Sequence, residues 1–443
     1  MAEIMSAKEA AARVKRRDTM GLPLGTGQPP AFLRELGERD DWDEFRIVGA
    51  LLAVGTALFT RPGVHYLSGF FGPIERMLRE AGANISFAAA DFRRLAPLLE
   101  AAKPRIMATA ASPPDADGWC SLSLHSGGTY QELLRAAADP DRLAVVEVSE
   151  RFPRTRGLMP EYRHALHVDQ IDLLVESDDG PTPLPDIPGT DLHAAIAEHA
   201  RPFIPEGATV QTGIGGIPSA IASLLAESDG GGYGVHSEMF TDGLMKLHQS
   251  GKVTNKGKGQ FDGVSVATFA AGSQALYDWL DENDEVAFLP AETVNNPHLI
   301  GLNSKMTTIN GALAVDIHGQ IVADTIGGDQ FSGIGGAEDF VSGPGLSLTA
   351  RSLLCLPATC TVGGEMRSRI VPWFDAGTVV TTPRHQVDIV VTEYGAAELE
   401  AKTVHQRGEA LAAIAHPDYR DELLDAAVRA SKGRSPRPRG GNG

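Results

Sequence analysis

The stretch that decides the fold is Thr209-Val210-Gln211-Thr212-Gly213-Ile214-Gly215-Gly216-Ile217-Pro218-Ser219-Ala220. It predicts a short strand, a glycine-rich turn and the start of a helix in direct succession. Glycines allow a sharp turn and a close approach of the backbone to a ligand, and the helix that follows presents unpaired N–H groups to an anion or an oxyanion. A tight turn without a ligand is the alternative. A dinucleotide-binding G-x-G-x-x-G pattern fits poorly, because Pro218 or Ser219 stands where its third glycine should be.

The same alternation of short apolar strands and Ala/Leu-rich helices runs through almost the whole chain. It predicts an α/β fold of two open domains with mainly parallel sheets. The predicted strands are 45–48, 105–110, 143–148, 209–212, 264–269, 286–289, 313–316, 378–381 and 387–392. The predicted helices are 74–81, 130–138, 192–199 and 217–225, and residues 1–18 have the pattern of an amphipathic helix.

A segment rich in proline and acidic residues, 178–186, is the best candidate for a linker. We therefore predict an N-terminal domain of residues 1–185 and a C-terminal domain of residues 186–430, with the active site in the cleft between them. Residues 431–443 have no periodicity and are expected to form a disordered tail. Its basic charge is more typical of a solvated tail than of a nucleic-acid site.

Composition excludes several classes of function. The formal net charge of -18 argues against nucleic acid as a partner. No apolar run approaches the ~20 residues of a membrane span, and the N-terminus lacks the apolar core of a secretory signal. Three cysteines are too few for a disulfide framework and have no metal-binding spacing, so no metal site is expected. Together these features predict a cytoplasmic protein.

Two further segments could carry chemistry. In Gly234-Val235-His236-Ser237-Glu238-Met239, a glutamate follows a short predicted strand. Taken alone, the segment is explained better by a solvated loop glutamate and a packed histidine than by a catalytic site. Residues 326–336 hold five glycines among eleven residues, together with Ile326, Phe331 and Ile334. That mixture is too apolar for a linker and favours a backbone that passes close to a ligand.

Taken together, these segments resemble one family, the acetyl-CoA hydrolase/transferase group of class I CoA-transferases, and most closely its 4-hydroxybutyrate and butyrate:acetate CoA-transferases. The similar motifs keep the family's order over more than 300 residues. They are Ser112-Pro113-Pro114-Asp115, Phe152-Pro153-Arg154-Thr155, the glycine turn at 213–217, His236-Ser237-Glu238-Met239, Thr293-Val294-Asn295-Asn296-Pro297, Ile309-Asn310-Gly311-Ala312, Phe331-Ser332-Gly333-Ile334-Gly335-Gly336, Asp339-Phe340, Ser368-Arg369-Ile370-Val371-Pro372, Val391-Thr392-Glu393-Tyr394-Gly395 and Ala415-His416-Pro417-Asp418.

The resemblance implies a role for each matching residue. Glu238 would be the nucleophile that forms a covalent intermediate with CoA, and Asn295 would contact CoA or the carboxylate. The remaining implied CoA-binding and oxyanion residues are Gly213, Ile214, Gly215, Gly216, Ile217, Gly333, Gly335 and Gly336. Coenzyme A or acyl-CoA would be a substrate, with no permanently bound cofactor, and the second substrate would be a short-chain carboxylate such as acetate. Members of the family are typically homodimers or larger.

Three alternatives remain open on the sequence alone. An acyl-CoA hydrolase would use the same glutamate with water as the acceptor. A nicotinamide dehydrogenase would place a pyrophosphate on the turn 213–216. A non-catalytic CoA-binding protein would keep the glycine-rich segments without needing Glu238.

Overall fold

The computed structural model describes residues 2–184 and 189–432. Its N-terminal half is built on an eight-stranded sheet in which every neighbouring pair is parallel. In spatial order the strands are Glu3–Met5, Leu173–Glu176, Leu143–Val148, Ile106–Ala111, Arg17–Gly21, Glu44–Gly49, Val64–Ser68 and Ile85–Phe87. The helices of this half are Ala7–Ala12, Pro30–Glu38, Pro73–Glu80, Leu95–Ala102 and Tyr130–Ala138.

The C-terminal half is built on a six-stranded sheet that is parallel except at one edge. In spatial order its strands are Gly234–Val235, Thr209–Thr212, Thr307–Gly311, Arg351–Cys355, Ile389–Thr392 and Gly395–Glu398. Its helices are Asp191–Ala200, Gly216–Glu227, Asp242–Gln249, Gln274–Leu280, Ala291–Val294, Pro297–Gly301, Ala337–Ser342, Val404–Ala413 and Arg420–Ser431.

Smaller groups of strands carry the loops between these elements. The parallel pairs are Met239–Phe240 with Phe269–Ala270 and Ser265–Ala267 with Val286–Phe288. The antiparallel pairs are Trp119–Ser121 with Ala165–His167, Thr325–Ile326 with Asp329–Gln330, and Thr359–Val362 with Glu365–Ser368. Ala314–Asp316 pairs with both Ile321–Val322 and Ile370–Val371.

Central strands are buried on both faces, which explains their unbroken runs of small and apolar residues. Every residue of Ile106–Ala111 and of Thr209–Thr212 is buried. Parallel sheets with helices on both faces need such strands, since neither face meets water. The apolar cores therefore lie on the two faces of each sheet, and the loops at the strand ends remain free to form a site.

The predicted fold class is confirmed, and several elements coincide with their predicted bounds, among them Leu143–Val148 and Tyr130–Ala138. The predicted strand at 378–381 is wrong, because these residues follow a turn and only Thr382 forms an isolated bridge, with Ile321. The single helix expected over 1–18 is also wrong: a short helix, Ala7–Ala12, separates two strands.

The predicted domain boundary between 185 and 186 lies outside the described residues, and so does the predicted tail from residue 433 onward. Ser431, which was expected in that tail, ends the last helix. None of the helices within residues 2–184 and 189–432 combines the length and the apolar character that crossing a membrane requires.

Candidate active site

A cavity of about 360 Å³ lies between the two halves, and both contribute to its wall. The N-terminal half supplies mainly apolar side chains, among them Leu24, Leu51, Phe70 and Phe92. The C-terminal half supplies Glu238 and two glycine-rich segments. The lining residues from those segments are Gly213, Ile214, Gly333, Gly335 and Gly336. The structure thus brings Glu238 together with parts of both predicted glycine-rich segments.

Glu238 lies between the short strands Gly234–Val235 and Met239–Phe240. Its backbone carbonyl accepts hydrogen bonds from the N–H groups of Thr268 (2.9 Å) and Phe269 (3.3 Å), which fix the segment against a neighbouring strand. Its side chain enters the cavity, where Asn295 Nδ2 donates to Glu238 Oε2 at 2.6 Å. Burial raises the pKa of Glu238 to about 7, although the hydrogen bond from Asn295 opposes that rise. Glu238 is therefore a carboxyl group with a pKa near 7, and not a solvated loop residue.

Asn295 follows the helix Ala291–Val294 and is fully buried. Its side-chain amide also donates to Asp339 Oδ2 at 3.0 Å, so one amide joins two carboxyl groups. Asp339 Oδ1 lies 2.8 Å from Arg93 Nη1, and Arg93 also contacts Asp91 at 2.9 Å. Burial raises the pKa of Asp339 to about 8, while Asn295 and Arg93 act in the opposite direction.

Sequence reasoning assigned no role to Asp339 and did not notice Arg93. The motif Asp339-Phe340 was visible, but a lone aspartate near a glycine-rich segment carries no signal of what it contacts. Arg93 lies in the other half of the chain, so only the fold brings its guanidinium to Asp339.

The second glycine-rich segment forms the wall beside Glu238. A Cβ on Gly336 would overlap Glu238 Oε2 and Asn295 Nδ2, and one on Gly333 would come within 2.7 Å of Phe70. The N-terminal half holds this segment in place, since Phe92 N donates to Gly335 O at 2.8 Å. These positions need glycine because the backbone passes directly against side chains of the site.

The first glycine-rich turn contributes only in part. Gly213 and Ile214 line the cavity, and a Cβ on Gly213 would meet no atom within 4 Å. Gly215 has a φ of +114°, which explains a glycine there by backbone conformation alone. Gly216 faces the ring of His193. The structure therefore does not bring Gly215, Gly216 or Ile217 to the cavity wall.

His236 serves the packing of the site and not its acid–base chemistry. It is fully buried, its Nε2 lies 2.8 Å from the carbonyl oxygen of Val294, and Asn303 Nδ2 donates to its Nδ1 at 3.1 Å. Burial lowers the pKa of His236 to about 3, so the ring is neutral at physiological pH. Because it holds Val294, His236 fixes the residue that precedes Asn295.

Comparison with known proteins shows the family to which the chain belongs. Residues 272–427 match the family model described as acetyl-CoA hydrolase/transferase C-terminal domain. The chain is 33% identical to 4-hydroxybutyrate coenzyme A transferase of Clostridium kluyveri over 96% of each chain. It is 37% identical to butyryl-CoA:acetate CoA-transferase of Anaerostipes caccae over 68% of each chain. The solved structure of RipA from Yersinia pestis is 28% identical, with a TM-score of 0.88 over 97% of this chain and 98% of that one. The chain therefore belongs to the acetyl-CoA hydrolase/transferase family and is a CoA-transferase.

Proposed function

We propose that this enzyme transfers CoA from an acyl-CoA to a short-chain carboxylate, such as acetate, through a glutamyl-CoA thioester on Glu238. The observation that carries the proposal is the placement of the Glu238 carboxyl in the cavity between the halves, where it accepts a hydrogen bond from Asn295 and lies against Gly336. A carboxylate in that position can reach an acyl group bound against the apolar wall.

The chemistry proceeds in four balanced steps. The Glu238 carboxylate attacks the thioester carbonyl of the acyl-CoA, and the CoA thiolate leaves to give a mixed anhydride. That thiolate attacks the glutamyl carbonyl, the donor acid leaves as a carboxylate, and glutamyl-CoA forms. The acceptor carboxylate then attacks the glutamyl thioester and expels the thiolate. The thiolate attacks the acceptor's carbonyl in the new anhydride, which releases the new acyl-CoA and restores Glu238. No net proton, metal or redox equivalent is required.

Each step passes through an oxyanion, and the cavity offers donors for it. Preorganised N–H donors can stabilise an oxyanion by about 3–4 kcal/mol each. We assign this role to backbone N–H groups of the glycine-rich segments at Gly213, Ile214, Gly335 and Gly336, which line the cavity. The Asn295 N–H that contacts Glu238 Oε2 serves in the steps in which the oxyanion forms at the glutamyl carbonyl. Gly215, Gly216 and Ile217 keep a supporting role in shaping the turn.

The apolar wall of the cavity suits a small apolar acyl group as substrate. Leu24, Leu51, Phe70, Phe92 and Phe269 surround the space beside Glu238. A mainly hydrophobic wall favours an aliphatic acyl chain. Coenzyme A itself enters and leaves as a substrate.

We further propose a homo-oligomer located in the cytoplasm. The three cysteines Cys120, Cys355 and Cys360 are all free thiols, which suits a reducing compartment. The family resemblance supports the oligomer, and light scattering on a purified sample measures its size.

Trapping the covalent intermediate tests the proposal. The enzyme is incubated with acyl-CoA and then treated with borohydride, which reduces a glutamyl thioester to an alcohol. Peptide mass spectrometry is expected to find the reduced side chain at Glu238. An unmodified Glu238 peptide from a sample that is turning over would contradict the mechanism. Parallel tubes with and without acetate identify the acceptor: acetyl-CoA should form only with acetate, and equal loss of acyl-CoA in both tubes would instead indicate a hydrolase.

The pH dependence of kcat/KM reports the nucleophile. Attack requires the carboxylate form, and the pKa of Glu238 is raised to about 7. We therefore expect kcat/KM to rise with pH through about 7 and to level off above it. An acidic limb near 4.5, the ordinary pKa of a glutamate, would mean that Glu238 is solvated or is not the titrating group.

A further inference from the structure

One side-chain amide serves two carboxyl groups in the site. Asn295 Nδ2 donates to Glu238 Oε2 at 2.6 Å and to Asp339 Oδ2 at 3.0 Å. A primary amide has two N–H groups, so both are used. Asn295 Oδ1 is buried and has no hydrogen-bond partner within the described residues. The orientation of this amide is therefore set by the two carboxyls that it donates to, and not by its own oxygen.

Asp339 is in turn held from the N-terminal half. Arg93 Nη1 lies 2.8 Å from Asp339 Oδ1, and Arg93 Nη2 lies 2.9 Å from Asp91 Oδ2. Arg93 belongs to the short helical turn Phe92–Arg94, and Phe92 N donates to Gly335 O. The segment Phe92–Arg94 thus holds both the glycine-rich segment beside Glu238 and the Asp339 carboxyl, which accepts from the same amide as Glu238.

The charges facing Asp339 come from several elements. Arg93 is the cation, whereas Asp91 and Glu238 are the acidic neighbours. Glu338 precedes Asp339 on the same helix, but its carboxyl accepts a hydrogen bond from Thr382. Burial is the main cause of the raised pKa of Asp339, and Asp91 and Glu238 act in the same direction with smaller effects.

We propose that Asp339 is a positioning residue of the transferase reaction: held by Arg93, it orients the Asn295 amide toward Glu238. This inference rests on the proposed function of Glu238. When Glu238 is a free carboxylate, its charge disfavours a second one on Asp339. The network keeps the amide aimed at Oε2 between turnovers.

Replacement of Asp339 by asparagine tests the inference, because it removes the charge and keeps the shape. In Asp339→Asn we expect kcat to fall about tenfold to 100-fold, as for a small misplacement of a reacting group, with KM for acyl-CoA nearly unchanged. The acidic limb of kcat/KM should stay near 7, because burial and the Asn295 hydrogen bond govern the pKa of Glu238. Arg93→Gln removes the cation that holds Asp339, and it should lower kcat in the same way with KM again nearly unchanged. Glu338→Gln, on the same helix, is the matched control and should change neither quantity.

A loss in kcat without a rise in KM separates positioning from mere structural support. A wild-type kcat in Asp339→Asn, or a KM for acyl-CoA that rises as much as kcat falls, would overturn the inference. If Asp339→Asn does not fold, Arg93→Gln tests the positioning role instead, because Arg93 is partly exposed and its replacement disturbs the fold less. Trapping on Glu238 is measured in the wild-type enzyme, so its failure counts against the proposed function and not against Asp339.

Discussion

Glu238→Gln is expected to lower kcat by about 10⁴-fold or more, the scale seen when a covalent nucleophile is removed. Glutamine has the same size and can still occupy the position beside Asn295, but an amide does not attack a thioester. Substrate binding should change little, so the loss should fall on kcat and not on KM. Steady-state rates with acyl-CoA and acetate measure it, and borohydride should no longer label this position.

The same substitution should not destabilise the protein, and the sign of its effect on stability follows from the pKa of Glu238. Its value in the folded protein, about 7, is above the ordinary 4.5. Such a carboxyl contributes stability that is fully present below about pH 4.5 and is lost as the pH rises through about 7. Glutamine carries no such charge, so Glu238→Gln should have an equal or higher Tm than the wild type at pH 8.

A matched control keeps this result specific. Glu292 is another carboxyl whose pKa is raised by burial, and it lies on the helix Ala291–Val294 outside the cavity wall. Glu292→Gln should retain nearly full activity. If Glu238→Gln kept more than a few per cent of the wild-type rate, or if both variants lost activity together, Glu238 would not be the nucleophile.

Local elements were predictable from the sequence where the chain itself defines them. Leu143–Val148 is apolar enough to be a buried strand, and Tyr130–Ala138 has the periodicity of a helix. The strand predicted at 378–381 is absent for a physical reason, since a strand needs a hydrogen-bonded partner. This run of β-branched residues has only a single bridge beside it, at Thr382, and Val379 and Val380 are partly exposed. Composition cannot reveal whether a partner strand is present.

The residues of the candidate site could likewise be predicted only in part. Glu238 and Asn295 were predicted through family motifs, and the structure places their side chains 2.6 Å apart. A glycine is an ambiguous signal in a sequence, because it indicates that the backbone passes close to another group but does not identify that group. Gly336 meets Glu238, whereas Gly216 meets the ring of His193. The contact between Arg93 and Asp339 joins distant parts of the chain, so no local pattern could predict it.

Gly336→Ala is expected to lower kcat by roughly 100-fold, although it adds only a methyl group. The backbone of Gly336, with φ -91° and ψ 5°, is accessible to alanine, so backbone strain is not the cause. The new Cβ would overlap Glu238 Oε2 and Asn295 Nδ2, and the carboxyl must therefore move away from its amide donor. A displacement of about 1 Å in a reacting group can cost on the order of 10²-fold in rate. Overpacking should also cost about 1–3 kcal/mol of stability, which thermal unfolding measures.

Two comparisons decide whether the loss in Gly336→Ala comes from this overlap. Gly345→Ala is the control, because Gly345 is exposed and its Cβ would meet no atom within 4 Å; rate and Tm should be unchanged. Glu238→Asp withdraws the carboxyl from Gly336 by one methylene and is itself expected to be slow. Adding Gly336→Ala to Glu238→Asp should then cost clearly less rate and stability than it does in the wild type, since the overlap with the carboxyl is gone and only the one with Asn295 Nδ2 remains. A full additional loss in the double variant would show that the methyl group acts elsewhere, and the contact between this glycine and the nucleophile would not govern the rate.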